Sequence, residues 1–148
     1  MKQQLRFAVT ALLAIFLIGA LSGCKKNIDD KITGDWHFDN VRLYSGLFSF
    51  QNITNDYRDY KLSFSSDGTF YQHNTRTGEI INGSWKINRT TVTNDDNTVT
   101  VQTLILSFDD PQYGFPDIHI WDEFQLTNRK MMGTENRNGD VYRFTLRK

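Results

Sequence analysis

The sequence lacks features that define several common functional classes. It has one cysteine and two prolines in 148 residues, and its 17 basic and 17 acidic side chains leave no net formal charge. A single cysteine excludes an internal disulfide, a cysteine-rich zinc site and a paired redox motif. Without a basic surplus the chain lacks the attraction on which phosphate-backbone binding depends, so we expect no nucleic-acid partner. The length allows one domain.

Good helix formers are also scarce over most of the chain. All four alanines lie within the first 20 residues, and the residues after Cys24 include three glutamates against fourteen threonines. Alanine and glutamate favour helices, whereas threonine, valine and aromatic residues suit a pleated, half-buried surface. The composition after Cys24 therefore predicts an all-β domain.

The first 23 residues have the pattern of a secretory signal. Lys2 and Arg6 precede an uncharged apolar run at positions 7–21, and small residues lead to Cys24. A helix of that length spans about 22 Å, which is less than the hydrocarbon core of a bilayer. A signal peptide is therefore favoured over a permanent transmembrane helix. Its removal leaves a mildly acidic mature chain.

The segment Leu21-Ser22-Gly23-Cys24 resembles the bacterial lipobox, which directs cleavage between Gly23 and Cys24. The resemblance implies that the Cys24 thiol carries a diacylglyceryl group and that its amine is acylated, with palmitate as a typical chain. Two or three acyl chains anchor a protein firmly in a membrane. We therefore expect a lipid-anchored protein of the bacterial cell envelope, in the outer membrane and facing the periplasm or the cell surface. An ordinary signal with an incidental thiol is the alternative.

Apolar and polar residues alternate with a period of two after position 34, and turn residues such as Ser66-Asp67-Gly68 separate the runs. The pattern predicts eight strands, at positions 35–44, 57–64, 69–74, 80–91, 98–108, 118–126, 130–134 and 141–147. Such strands close most economically into an antiparallel up-and-down eight-stranded β-barrel, because closure removes exposed sheet edges. A β-sandwich is the alternative. The longer connections at 45–56 and 109–117 are expected to fold over the mouth or side of the barrel.

Several motifs, in their order and spacing, resemble those of lipocalins and bacterial lipocalin-like lipoproteins. The sequence Gly34-Asp35-Trp36 matches the Gly-x-Trp opening, which implies that Gly34 and Trp36 close one barrel end. Positions 62–70 resemble the family's hairpin, Gly83-Ser84-Trp85 a second Gly-x-Trp, and positions 142–148 the closing strand. The chain thus divides into a signal peptide (1–23), a lipidated cysteine with a tether (24–33) and a lipocalin-like barrel (34–148).

No motif of a known catalytic or cofactor-binding site occurs in the sequence, so we expect neither enzymatic activity nor a cofactor. His37, His73 and His119 lie far apart, and polar or barrel-facing roles are favoured over a metal site assembled across strands. The run Asn94-Asp95-Asp96-Asn97 lacks the glycine and glutamate of a calcium-binding EF-hand loop and is more typical of a hairpin turn.

Aromatic residues on the predicted strands are the remaining signal for function. If they point inward, they line an apolar interior with hydroxyl and indole N–H groups as polar contacts. The candidate ligand contacts are Tyr60, Phe70, Trp85, Trp121, Phe124 and Tyr142. For each of them, packing in a filled barrel is the alternative.

Two hypotheses of function follow. The first is a membrane-anchored protein that binds a small apolar or amphipathic ligand in its barrel. The second is an interaction module, an inhibitor of an envelope enzyme or a subunit of a surface complex, that uses the aromatic segments 47–53 and 112–115 to contact a partner protein. An open cavity of roughly 300 Å³ or more favours the first, and a filled barrel with exposed loop aromatics favours the second.

Overall fold

The computed structural model describes residues 28–46, 49–94, 97–109 and 117–148. Within these residues the chain forms two short helices and a set of antiparallel strands. In chain order the elements are α1 (Ile28–Ile32), β1 (Gly34–Ser45), β2 (Ser49–Asn52), α2 (Thr54–Tyr57), β3 (Tyr60–Phe64), β4 (Thr69–Asn74), β5 (Ile80–Asn94), β6 (Asn97–Phe108), β7 (Asp117–Leu126), β8 (Lys130–Arg137) and β9 (Asp140–Arg147).

The strands form one sheet that closes on itself. From β3 to β9 each strand pairs with the next, and β1 pairs with β3 on one side and with β9 on the other. β1 and β3 to β9 therefore make a closed eight-stranded antiparallel up-and-down barrel. The barrel predicted from the alternation is confirmed, and the β-sandwich alternative is wrong, because the β1–β9 pairing joins the two ends of a single sheet.

The connection at 45–56, predicted as a loop, contains an extra strand and a helix. β2 pairs with residues 42–45 at the end of β1, outside the eight barrel strands. All four β2 residues are exposed, so the strand has no buried face and no alternation by which the sequence could reveal it. After β2, Ile53 packs against the core and the Thr54 hydroxyl accepts a hydrogen bond of 2.9 Å from Val41 N.

A bulge in β1 changes which side chains point into the barrel. Phe38 pairs with Leu146 and Asn40 with Thr145, so Asp39 is an extra residue on the β1 side. Even-numbered residues up to Phe38 face inward before the bulge, and the buried Val41 shows that odd-numbered residues do so after it.

One end of the barrel is closed by the N-terminal helix and a tryptophan. Ile32 of α1 and Trp36 of β1 are fully buried, and Trp36 Nε1 donates a hydrogen bond of 2.6 Å to the Ile32 carbonyl. Lys148 Nζ lies 5.0 Å from the centre of the Trp36 ring. Gly34, at φ +116°, begins β1 at this end. The last part of the predicted tether is thus a helix that packs on the barrel.

The core consists of inward-facing side chains from the barrel strands together with Ile32. Its buried members are Ile32, Trp36, Val41, Leu62, Phe64, Phe70, Trp85, Leu104, Leu106, Trp121, Phe124, Met131, Phe144 and Leu146. Four of them, Leu62, Leu106, Trp121 and Phe144, also line the cavity described next. Within the described residues this cavity occupies the end opposite to Trp36, where β4, β6 and β8 finish.

Candidate functional site

The open end of the barrel holds a cavity of about 1340 Å³. All eight barrel strands contribute to its lining, together with α2, Gln51 of β2 and the residues that adjoin them, Ile53, Glu79 and Asp109. The cavity is larger than the roughly 300 Å³ expected of a minimal ligand site, and aromatic and aliphatic side chains make up 13 of its 22 lining residues, the other nine being polar or charged. Those are the properties of a small-molecule site.

Three of the six aromatic residues predicted as ligand contacts line the cavity: Tyr60, Trp121 and Tyr142. The other three are buried in the core and do not belong to the cavity lining: Phe70, Trp85 and Phe124. These six residues share an inward orientation. Alternation predicts it within a regular run, but Trp121 and Phe124 are three positions apart and both face inward because the β7–β8 pairing is irregular between positions 122 and 125. Depth along the barrel axis separates the two groups, and alternation carries no information about depth.

Other predicted positions lie outside the described residues. Gly23 and Cys24 are among them, as is the aromatic segment 112–115. Segment 47–53 is described from residue 49 onward, and there Phe50 is 61% exposed whereas Ile53 packs against the core. The Phe50 ring lies 5.8 Å from Tyr44, so part of its surface is covered by β1.

Trp121 forms one wall of the cavity and is held there by close packing. Its ring stacks on Phe144 with centroids 4.7 Å apart and planes within 11° of each other. A Cβ at Gly133 would lie 2.9 Å from Trp121 Cβ, so only glycine leaves room for this ring position. Trp121 is 3% exposed, and its Nε1 has no hydrogen-bond partner within the described part of the chain. The indole N–H is a buried donor enclosed in the wall of the barrel.

A cluster of charged residues on β7 and β8 lies beside the cavity. Glu135 is 4% exposed and accepts a hydrogen bond of 2.7 Å from an Nη atom of Arg137. His119 Nδ1 lies 2.8 Å from Glu135 Oε1, and its Nε2 lies 2.9 Å from Asp117. A buried carboxylate is stable only when it is paired, which the guanidinium and the imidazole achieve here.

The cluster shifts the ionisation of its own members. Burial lowers the pKa of His119, but the hydrogen bond and negative charge of Glu135 raise it by more, so the pKa lies above the ordinary 6.5. Burial raises the pKa of Glu135, but its hydrogen bonds to His119 and Arg137 lower it by more, so the pKa lies below the ordinary 4.5. A protonated His119 donates from both ring nitrogens to carboxylates, whereas a neutral ring can accept at Nδ1 from the Arg137 Nη atom 2.7 Å away.

Arg137 presents a second unsatisfied donor at the cavity wall. Its guanidinium lies 5.0 Å above the Tyr142 ring, and its Nε is buried without a partner among the described residues. A buried donor left without an acceptor costs about 1–3 kcal/mol, so Arg137 Nε and Trp121 Nε1 both lower the stability of the barrel wall in which they are enclosed.

Sequence reasoning did not identify the charged cluster, although one signal of it was present. Glu135 and Arg137 continue the inward-facing positions of β8 that begin with Met131 and Gly133. A carboxylate and a guanidinium two residues apart on the inner face of a barrel strand are uncommon unless they pair or serve a site. The inward-facing positions of β8 thus indicate Glu135 and Arg137 as candidate site residues from the sequence alone. The contact of His119 with them is not predictable in this way, because it depends on how β7 pairs with β8.

Within the described ranges, no group of three or more histidine, cysteine, aspartate or glutamate side chains has the arrangement of a metal site. The helices of the same ranges are too short and too polar to cross a bilayer. Comparison of the chain with protein-family models, curated proteins and solved structures gave no match. The function is therefore argued from the geometry of the barrel and from the sequence.

Proposed function

We propose that this protein is a lipid-anchored component of a bacterial cell envelope whose lipocalin-like barrel binds a small amphipathic ligand. The observation that carries the proposal is the cavity of about 1340 Å³ at one end of a closed barrel. A protein with a purely structural barrel gains stability by filling it, because empty volume forfeits packing contacts. An unfilled end lined by aromatic rings is therefore better explained by a ligand.

The chemistry of the lining supports an amphipathic ligand more than a purely apolar one. Aromatic and aliphatic side chains such as Phe38, Tyr57 and Leu106 offer an apolar surface. Polar side chains, among them Gln72, Asn82 and His119, line the same space. A molecule with an apolar body and polar groups fits both parts of the wall.

The closed end of the barrel lies on the side of the proposed anchor. α1 packs at the closed end through Ile32, and Cys24 precedes α1 by four positions, a stretch that reaches at most about 14 Å when fully extended. The cavity mouth lies at the opposite end of the strands. With Cys24 acylated, the mouth therefore opens away from the anchoring membrane, and the ligand enters from the aqueous side or from a partner there.

Narrowing the cavity is expected to abolish binding. Ile81 lines the cavity and does not belong to the buried core, so we expect Ile81→Trp to narrow the cavity. We expect the neutral fluorescent probe N-phenyl-1-naphthylamine to bind the wild-type protein at a 1:1 ratio, and Ile81→Trp to weaken that binding at least about tenfold, or 1.4 kcal/mol. Fluorescence titration measures both affinities.

Ile118→Trp is the matched control, because Ile118 is 56% exposed on the outer face of the barrel. This variant should bind the probe with wild-type affinity. Equal affinities of the wild type and Ile81→Trp would show that the probe does not occupy the cavity, and absence of probe binding to the wild type would contradict the proposed function.

The anchor is tested at Cys24. Replacing Cys24 by alanine removes the thiol that the lipidation reaction requires, so we expect no incorporation of radiolabelled palmitate and loss of the protein from the membrane fraction. Cys24→Ser is a second variant with the same expected result. Unchanged membrane association of both variants would overturn the lipoprotein assignment and would leave the barrel proposal intact.

A further inference from the structure

The hairpin of β5 and β6 extends beyond its neighbours in the barrel. β5 has 15 residues and β6 has 12, and the two strands pair with each other to their far ends. Among the described strands, β4 pairs with β5 only at residues 80–84, and β7 pairs with β6 only at residues 104–108. The far part of the hairpin, residues 88–94 of β5 and 97–101 of β6, therefore has no other described strand beside it. We call this part the ribbon.

The ribbon has no core of its own. Side chains on both of its faces are exposed, with Thr91 and Thr100 on one face and Thr90, Val99 and Val101 on the other. Val99 is 56% exposed and Val101 is 40% exposed. An isolated two-stranded hairpin is only marginally stable in water, whereas a sheet of three or more strands with an apolar face is stable. We therefore expect further strands to complete the ribbon.

The two edges of the ribbon differ in charge. The free edge of β5 carries Lys86 and Arg89, and both side chains are exposed. The free edge of β6, at positions 97–103, has the sequence Asn-Thr-Val-Thr-Val-Gln-Thr, and its pairing with β5 contains no bulge. Proteins protect exposed strand edges from pairing with other chains by charged side chains, proline or bulges. The β6 edge has none of these, so it is the edge that a further strand is expected to cover.

The β6 edge is complementary to a second copy of itself. When two β6 strands pair in antiparallel fashion about a two-fold axis at Thr100, Val99 of each copy lies opposite Val101 of the other, and Thr98 lies opposite Gln102. The valines then form cross-strand pairs on one face, and no like charges meet because the edge has no charged side chain. The strand of an unrelated partner would have no charge on this edge by which to be selected.

We propose that two copies of the protein associate through their β6 edges and form a four-stranded antiparallel sheet in the order β5, β6, β6, β5. The β5 edges, with Lys86 and Arg89, become the outer edges of this sheet, so the pairing ends at two copies. The inference concerns a different surface from the cavity and is independent of the ligand proposed for it.

The mass of the assembly and a charge at the two-fold axis test the proposal. Sedimentation equilibrium of the full-length protein in a density-matched detergent measures the mass. At a protein concentration of about 100 μM, which suits the weak affinity of a small interface, we expect the wild type to be mainly dimeric. Thr100→Lys places two like charges opposite each other, so we expect it to weaken the association at least about tenfold.

Thr91→Lys is the matched control. Thr91 pairs with Thr100 within the same ribbon and is likewise exposed, but it lies on β5, away from the proposed interface. This variant introduces the same charge and should associate as the wild type does.

Cysteine variants test the geometry without adding a charge. Two residues directly opposite each other in an antiparallel pair have Cα atoms about 4.5–5.5 Å apart, which a disulfide can bridge. The two Thr91 residues of the proposed dimer are separated by three strand spacings, or about 14 Å. On oxidation in the membranes of the producing cells, we expect a disulfide-linked dimer of Thr100→Cys, and of Thr91→Cys no more than of the wild type, whose single cysteine is Cys24.

Three results would overturn the proposal. The first is a monomeric wild type, whether or not another protein is bound to it. The second is a dimer that Thr100→Lys leaves intact, or one that Thr91→Lys disrupts. The third is the absence of the Thr100→Cys disulfide, which decides the question if circular dichroism shows that Thr100→Lys fails to fold. Each of these results leaves the proposed binding of a ligand in the barrel unchanged.

Discussion

Replacement of Trp36 by alanine is expected to lower the free energy of unfolding by about 3–5 kcal/mol, the largest effect of any single substitution considered. Trp36 has no exposed surface and closes the barrel end together with Ile32. Its removal leaves a void the size of an indole and releases α1, because the hydrogen bond from Nε1 to the Ile32 carbonyl is lost. Urea unfolding followed by circular dichroism measures the loss.

Two phenylalanine variants separate the hydrogen bond from the packing. Trp36→Phe keeps an aromatic ring but leaves the buried Ile32 carbonyl without its 2.6 Å partner. Trp121→Phe removes a similar volume from a buried tryptophan whose Nε1 has no partner among the described residues. We expect Trp36→Phe to lower the free energy of unfolding by about 1–2 kcal/mol more than Trp121→Phe does. Equal costs would contradict the role assigned to the Trp36 hydrogen bond.

Neutralising Glu135 has the second largest expected effect. Glu135→Gln leaves the half-buried Arg137 guanidinium and the His119 imidazole without the carboxylate that stabilises them. Removing one partner of a buried ion pair typically lowers the free energy of unfolding by several kcal/mol. Because Arg137 is partly exposed, we expect Glu135→Gln to lower it by about 2–4 kcal/mol at pH 6. Glu123→Gln, on an exposed position, should change stability by less than about 0.5 kcal/mol. A comparable loss of unfolding free energy in the two variants would contradict the stabilising role assigned to Glu135 in the cluster.

The same cluster predicts how stability depends on pH. Because the pKa of His119 is raised in the folded chain, the stabilisation from its proton is complete below about pH 6.5 and is lost as the pH rises through the folded pKa. Because the pKa of Glu135 is lowered, its contribution is present above about pH 4.5 and is lost as the pH falls through the folded pKa. Stability should therefore be greatest between these values.

Two histidine variants check this dependence. Urea unfolding from pH 5 to pH 9 should show the wild type losing stability above pH 6.5, whereas His119→Gln should lose less over the same range. His37→Gln replaces an exposed histidine on the outer face and should follow the wild-type profile. A His119→Gln profile parallel to that of the wild type would show that the imidazole proton does not contribute to stability.

Alternation predicted the barrel because each of its strands has one face in the core. Tyr60, Leu62 and Phe64 face inward on β3 as the period-2 pattern requires, and the matching positions on β9 do the same. The pattern fails where no face is buried, as in β2, and where only one residue is, as in α1 with Ile32. β2 is held by its pairing with β1, and α1 is held by packing on the barrel end. A local sequence pattern carries no information about such long-range contacts.

The site was only partly predictable for a related physical reason. Inward orientation of Tyr142 follows from the alternation, but its position at the cavity end depends on the strand register and on the bulge in β1. On β7 the alternation would place Ile118 and Ile120 inside with Phe124, whereas the strand is irregular after Trp121 and it is Trp121 that faces inward. The pairing of His119 with Glu135 joins residues on two different strands.

The proposed function depends on a ligand being held at the open end of the barrel. Native mass spectrometry of the protein purified from the cells that produce it tests this claim most directly. We predict a bound small molecule at a 1:1 ratio in the wild type and in Ile118→Trp, and its loss from Ile81→Trp. Repeated preparations that carry no small molecule, and that instead contain one protein partner in stoichiometric amount, would contradict the claim.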